Sequence, residues 1–318
     1  MLDERYPPQI VWLTGVNTEV VGEDGNTAMS SDFFCHSNLV FSASAGARNG
    51  PNAEFTPVPD GRLATLVPGL VALTLPAGFG IPVYSDEELD YFTMALNLNE
   101  KDNKQLIRFR TMISFMPQSA LGPAATMRPL TRRAIYGHEH AETTNHHVAL
   151  HEGMPAENVA DGHSAAFHVP LPRSQDASRT IHWLVAPGMH ETRTEVTEQL
   201  SIAENTTIHF VTAHLHPYAR SVSLVDKTSG LVIVTIRSKD YRNRRGVETM
   251  ETWESEADAP VFRDHKYELL TVYDNPTSQP IDAMSILYIY LLDKEFFGNR
   301  LSTGTVDRSL TQTFGEGG

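Results

Sequence analysis

Along the chain, apolar and polar residues alternate with a period of two, and stretches with the three-to-four-residue spacing of long amphipathic helices are hard to find. The pattern therefore predicts strands. Ile10-Val11-Trp12-Leu13 and residues 33–41 read as two of them, parted by a polar Gly/Asp/Asn loop at 22–26. Residues 43–61, with their Gly, Pro and Asn, read as a long connection. Residues 91–98 and 106–115 flank a polar turn at 100–105 and predict an antiparallel hairpin. In it Ile107, Phe109, Ile113 and Phe115 face a core, while Arg108, Arg110 and Ser114 face water.

From 117 to about 175 the periodicity fades and Pro, Ala, Gly and His rise. Seven of the fourteen histidines lie between His138 and His168, which predicts a loop-rich insertion or connector. Strand signals return at 180–185. Residues 221–225 and 231–236 enclose an Asp/Lys/Thr/Ser/Gly turn and predict a second hairpin. Strands at 267–273 and from Met284 onward complete the set. This spacing of short strands and turns predicts an all-β fold of two jelly-roll-like antiparallel β-sandwich domains in tandem. The expected division is 1–175, including the His-rich insertion at about 117–175, then 176–298, then a polar tail at 299–318.

Composition narrows the function. A length of 318 residues suffices for two cores, and no apolar run is long enough to span a bilayer. The net charge of −14 argues against nucleic acid, since there is no basic surplus to displace phosphate counterions. Arg242-Asn243-Arg244-Arg245 is the one basic knot and reads as a solvated turn. Cys35 is the single cysteine, so no internal disulfide can form. The first eight residues lack the basic start and apolar stretch of a secretory signal.

The candidate chemistry is a metal site. Residues 206–211 form a β-type run that ends in Thr212-Ala213-His214-Leu215-His216, and alternation places His214 and His216 on one face. A third ligand is offered about seventy residues later by Met284, whose strand carries Ile286, Tyr288 and Tyr290 on the same side. A thioether is soft, so two histidines and a methionine point to copper that cycles through Cu(I); zinc prefers a carboxylate or thiolate. Taken separately, the histidine pair also fits a hydrogen-bonded surface pair, and Met284 fits a core filler. A cupin-type site would need a glutamate soon after, and residues 217–227 contain none.

Together, His214-Leu215-His216 and the strand Met284-Ser285-Ile286-Leu287-Tyr288-Ile289-Tyr290 resemble the second domain of the copper-dependent, ascorbate-using monooxygenases, the peptidylglycine α-hydroxylating and dopamine β-hydroxylating enzymes. The likeness extends to Val185-Ala186-Pro187-Gly188, similar to that family's Pro-Pro-Gly turn, and covers about 180–295. It implies a jelly-roll architecture and a copper held by His214, His216 and Met284. It also implies hydroxylation of a small-molecule or peptide substrate by dioxygen, with an external reductant such as ascorbate. It favours a periplasmic or extracellular setting, reached with a signal removed beforehand; the residues themselves leave the cytoplasm open.

The chain departs from the family in its first half. Leu75 to Gly80 and the strand at 91 resemble the first domain loosely, yet Asn97 or a neighbour stands where a histidine would fall. No adjacent histidine pair lies between Cys35 and Asp60, and disulfides are missing. A rebuilt second metal site could draw on His36, His146, His147 and His151. His147 and His151 are one helical turn apart, although Val148 stands where a zinc peptidase needs glutamate. In a regular strand Cys35 and His36 would sit on opposite faces. His209 has the wrong parity to join His214 and reads as a hydrogen-bonded core histidine, and His182 is ambiguous. The alternatives to an enzyme are a non-catalytic copper or electron-transfer module and a metal-free structural β-sandwich.

Overall fold

The computed structural model describes residues 9–42, 61–99, 106–122, 125–140, 179–180, 182–294 and 296. The expected connection at 43–61 falls almost wholly outside these residues, as do His146, His147, His151 and the polar tail. The fold is all-β: the described residues form nineteen strands, two single 3-10 turns and one short helix at Thr197–Leu200. No helix among the described residues is long and apolar enough to cross a membrane.

The amino-terminal strands are β1 (Ile10–Gly22), β2 (Phe34–Phe41), β3 (Arg62–Leu66), β4 (Ala72–Thr74), β5 (Phe79–Tyr84), β6 (Leu89–Ala95), β7 (Ile107–Pro117) and β8 (Arg128–Tyr136). Two short pieces, β9 (Glu139–His140) and β10 (Arg179–Thr180), pair only with each other among the described residues. The carboxy-terminal strands are β11 (His182–Val185), β12 (Gly188–Glu195), β13 (Thr206–Leu215), β14 (Ala219–Asp226) and β15 (Leu231–Asp240). They continue as β16 (Val247–Met250), β17 (Trp253–Val261), β18 (Tyr267–Asn275) and β19 (Ile281–Leu292).

These strands form three layers. A nine-stranded sheet runs β17-β13-β19-β8-β5-β1-β4, with β11 added on β19 and β7 on β1. Its two faces have different partners. Residues paired across antiparallel strands share a face, so His214, Ile286 and Tyr136 line one side, as do Tyr290 and Arg132. That side meets the three-stranded sheet β3-β2-β6: buried Arg132 donates to Thr65 Oγ1 on β3 at 2.9 Å and lies over the Tyr288 ring. The opposite side carries Ser285, whose Oγ accepts from Thr271 on β18 at 2.9 Å. There the five-stranded sheet β12-β18-β14-β15-β16 packs, with Trp183 and Tyr273 edge to face at 6.1 Å.

Several expectations need correction. Residues 128–136, assigned to a loop-rich insertion, form a nine-residue strand between β19 and β5. Its buried Leu130, Ile135 and Tyr136 interleave with basic residues, and those charges mask the alternation; Arg132 itself is buried. The nine-stranded sheet thus draws strands from both sides of residue 175. Strands 91–98 and 106–115 do not pair: β6 joins β2, and β7 joins β1 along Val11–Gly22. Phe109 packs edge-on against Phe34, but Ile113 and Phe115, expected to face a core, are 37% and 42% exposed. The hairpin of β14 and β15 forms as expected, closed by Gly230 at φ 76°.

Candidate metal centre

The site lies on the face of the nine-stranded sheet that meets β2. β13 supplies His214, paired with Ile286 and therefore on the face of β19 that also carries Asp282, Met284, Tyr288 and Tyr290. His216 follows directly, just past the strand end. Pro217 favours an extended His216 and stops the ladder. The chain then turns through Tyr218, in the left-handed region at φ 72°, whose N–H donates to Asp240 Oδ2 at 2.8 Å. Ala219 N–H donates back to the His216 carbonyl at 3.3 Å.

Tyr273 fixes the spacing of the two principal strands. Its hydroxyl donates to the Met284 carbonyl at 2.7 Å, and its oxygen accepts the N–H of His216 at 3.1 Å and of Met284 at 3.2 Å. Burial drives the phenol pKa far above its ordinary value, so the group serves as a neutral donor.

Four imidazoles form a row. His182 and His216 have ring centroids 5.3 Å apart, His216 and His214 5.6 Å, and His214 and His36 5.7 Å. His182 arrives through β11, which pairs with β19 so that His182 stands opposite Met284. At this end of the row is Asp282. Its Oδ2 is 2.9 Å from His216 Nδ1, and both of its oxygens are 3.1 Å from His182 Nδ1. Ligand atoms of His182, His216 and Asp282 all lie within 4.8 Å of one another. Burial raises the Asp282 pKa, but the hydrogen bonds from His182 and His216 outweigh it and hold the carboxyl well below the usual carboxylate range.

At the other end, β2 is irregular: its pairing with β6 shifts register between Phe34 and His36, leaving Cys35 as the extra residue. The pair expected on opposite faces therefore meets, with Cys35 Sγ 3.3 Å from His36 Nδ1. Burial pushes the thiol up to about 12, so this sulfur is protonated. His36 is held down at about 4, by burial first and then by the positive charge of Arg62 and by His216.

Of the residues singled out in the sequence, His214, His216 and Met284 share one face. Met284 is 9% exposed and belongs to the buried apolar cluster. His36 joins their row instead of building a separate site, because β2 packs across this face. His209 is buried at a second register shift, with Nδ1 on the Ser255 carbonyl at 3.0 Å and its ring 4.2 Å from Phe79. Asp282 and the role of His182 were missed. The parity of Asp282, two positions before Met284, could have revealed it; the contribution of His182 depends on a strand pairing that no local pattern encodes.

No family model and no curated protein matches the chain. Among the solved structures with a low-level likeness are two of the same virus. One is infectious bursal disease virus, Gx strain, at 9% identity and a TM-score of 0.20, and the other is the VP2 subviral particle of infectious bursal disease virus, at 8% and 0.23. Each alignment covers 92% of this chain and 59% of the other, so the chain spans under two thirds of those proteins. Likeness at this level carries no weight for fold or function.

Proposed function

We propose that the protein binds copper through His214, His216 and Met284 and is related in chemistry to the copper-dependent monooxygenases. The observation that carries this reading is the cross-strand register: His214 pairs with Ile286, which puts the imidazoles and the thioether-bearing residue on one face of adjacent strands. The donor set fits the metal. Two imidazoles satisfy either copper oxidation state, and a thioether favours the reduced one. Bound copper would supply one-electron chemistry with dioxygen, using an outside reductant such as ascorbate.

The chain's own part is to hold and shield. Tyr273 locks the strand ends that carry His216 and Met284, and Pro217 limits the backbone of His216. Tyr288, Ile286 and the overlying β2 exclude water from one side, which strengthens electrostatic interactions there. His216 is partly open, with its side chain 15% exposed, so a substrate could approach from that end.

A second reading is a copper-holding module without hydroxylase activity. It is favoured by the position of His36, which stands against His214 and so does not build a distant electron-donating centre. Copper content and ascorbate-dependent oxygen uptake of tag-free protein test both. Copper binding with uptake supports the enzyme, copper binding without uptake supports the module, and failure to retain copper after reconstitution overturns both.

A further inference from the structure

We propose that His182, His216 and Asp282 form a second coordination pocket, adjoining the copper-binding face, that takes a first-row divalent cation of the zinc or ferrous type. Two imidazole nitrogens and one carboxylate oxygen are a donor set for such ions, and a soft monovalent ion gains little from the carboxylate.

The spacing fits. Metal–ligand bonds of about 2.0–2.2 Å put neighbouring donors about 3 Å apart around an octahedral ion and slightly farther around a tetrahedral one. The carboxylate oxygens of Asp282 are 2.9 Å from His216 Nδ1 and 3.1 Å from His182 Nδ1. The His182 and His216 ligand atoms, within 4.8 Å of each other, need only a small closing movement to share an ion. The ligands also come from separate, braced elements: His182 from β11 on the β19 ladder, His216 from the end of β13 under Tyr273, and Asp282 from β19 itself. Side-chain exposures of 18%, 15% and 25% leave the carboxylate end open to a hydrated ion. The net charge of −14 favours cation approach.

The pocket uses neither His214 nor Met284, so it does not require the copper reading to hold. His216 belongs to both; it presents Nδ1 to Asp282, and a copper on the same ring would use Nε2.

The test is a titration of metal-stripped, tag-free, full-length protein with Co2+ and then Zn2+, followed by visible absorption. One Co2+ per chain, displaced by Zn2+, is expected. Asp282→Asn and His182→Gln should each lower Co2+ affinity by at least about tenfold, since even outer-shell losses cost about 10–100-fold. Cu(I) affinity, measured by competition with a chromophoric chelator, should change far less in these variants. Met284→Ile should show the reverse. Absence of Co2+ binding to folded wild-type protein overturns the pocket, as does binding that survives both substitutions. His182→Gln, at a partly exposed edge-strand position, keeps the test decisive if Asp282→Asn fails to fold.

Discussion

The Tyr273 hydroxyl donates to the Met284 carbonyl at 2.7 Å while its oxygen accepts two backbone N–H groups, those of Met284 and His216. One buried oxygen thus joins the end of β13 to the start of β19, beside the His216–Asp282 contact. Tyr273→Phe removes the donor to the Met284 carbonyl and the acceptor that two backbone N–H groups share. Urea unfolding of the metal-free protein should show a loss of about 2–3 kcal/mol. A loss below about 0.5 kcal/mol would mean that these hydrogen bonds do not hold the two segments together.

Met284→Ile separates metal affinity from packing. The volume change is small, so stability should fall by less than about 1.5 kcal/mol. Cu(I) affinity should drop by at least about tenfold, because a soft donor is lost. Unchanged affinity in a chelator competition would remove Met284 from the proposed ligand set.

His36 makes the metal-free fold sensitive to mild acid. Its folded pKa of about 4 lies below the ordinary 6.5, so on acidification the unfolded chain takes up this proton first. The stabilisation is complete above about pH 6.5 and is lost progressively toward pH 4, on the order of 3 kcal/mol in all. Asp282, also depressed, loses its contribution only below the ordinary carboxylate value of about 4, so the two windows are distinct. Denaturation midpoints between pH 7 and 4.5 should fall steeply for wild type and less steeply for His36→Asn. Parallel curves would assign the effect to other groups.

Gly69 ties the β3–β4 turn to the five-stranded layer. It adopts φ +78°, and a Cβ there would come within 2.7 Å of the Met250 nitrogen and the Thr249 carbonyl carbon. Gly69→Ala combines a disfavoured backbone conformation with a backbone clash and should cost about 2 kcal/mol or more. A thermal melt within error of wild type would show that the turn can move away freely.

The strands carrying the site could be read locally, because apolar runs such as 206–211 and 284–291 and the alternation of Ile286, Tyr288 and Tyr290 arise from burial on a sheet face. Pairing could not. β8 hides its period behind Arg132 and Arg133, and the fate of Arg132 depends on Thr65 and Tyr288, which are far away in sequence. β6 and β7 look like a hairpin because the sequence between them is polar, yet each finds a longer-range partner. The Cys35 bulge is likewise invisible to a parity rule that assumes a regular strand. The acidic end of the metal centre was hidden for the same reason: Asp282 becomes a ligand candidate only once β11 brings His182 alongside.

The position of β8 bears on how this chain can be handled. Residues 130–136 saturate one edge of β19 across Ile286–Leu292, and β13 occupies the other. A fragment starting near residue 176 would keep every proposed copper ligand but leave that edge bare, a template for clumping with its own copies. Binding studies on an excised carboxy-terminal piece would consequently report on a damaged sheet.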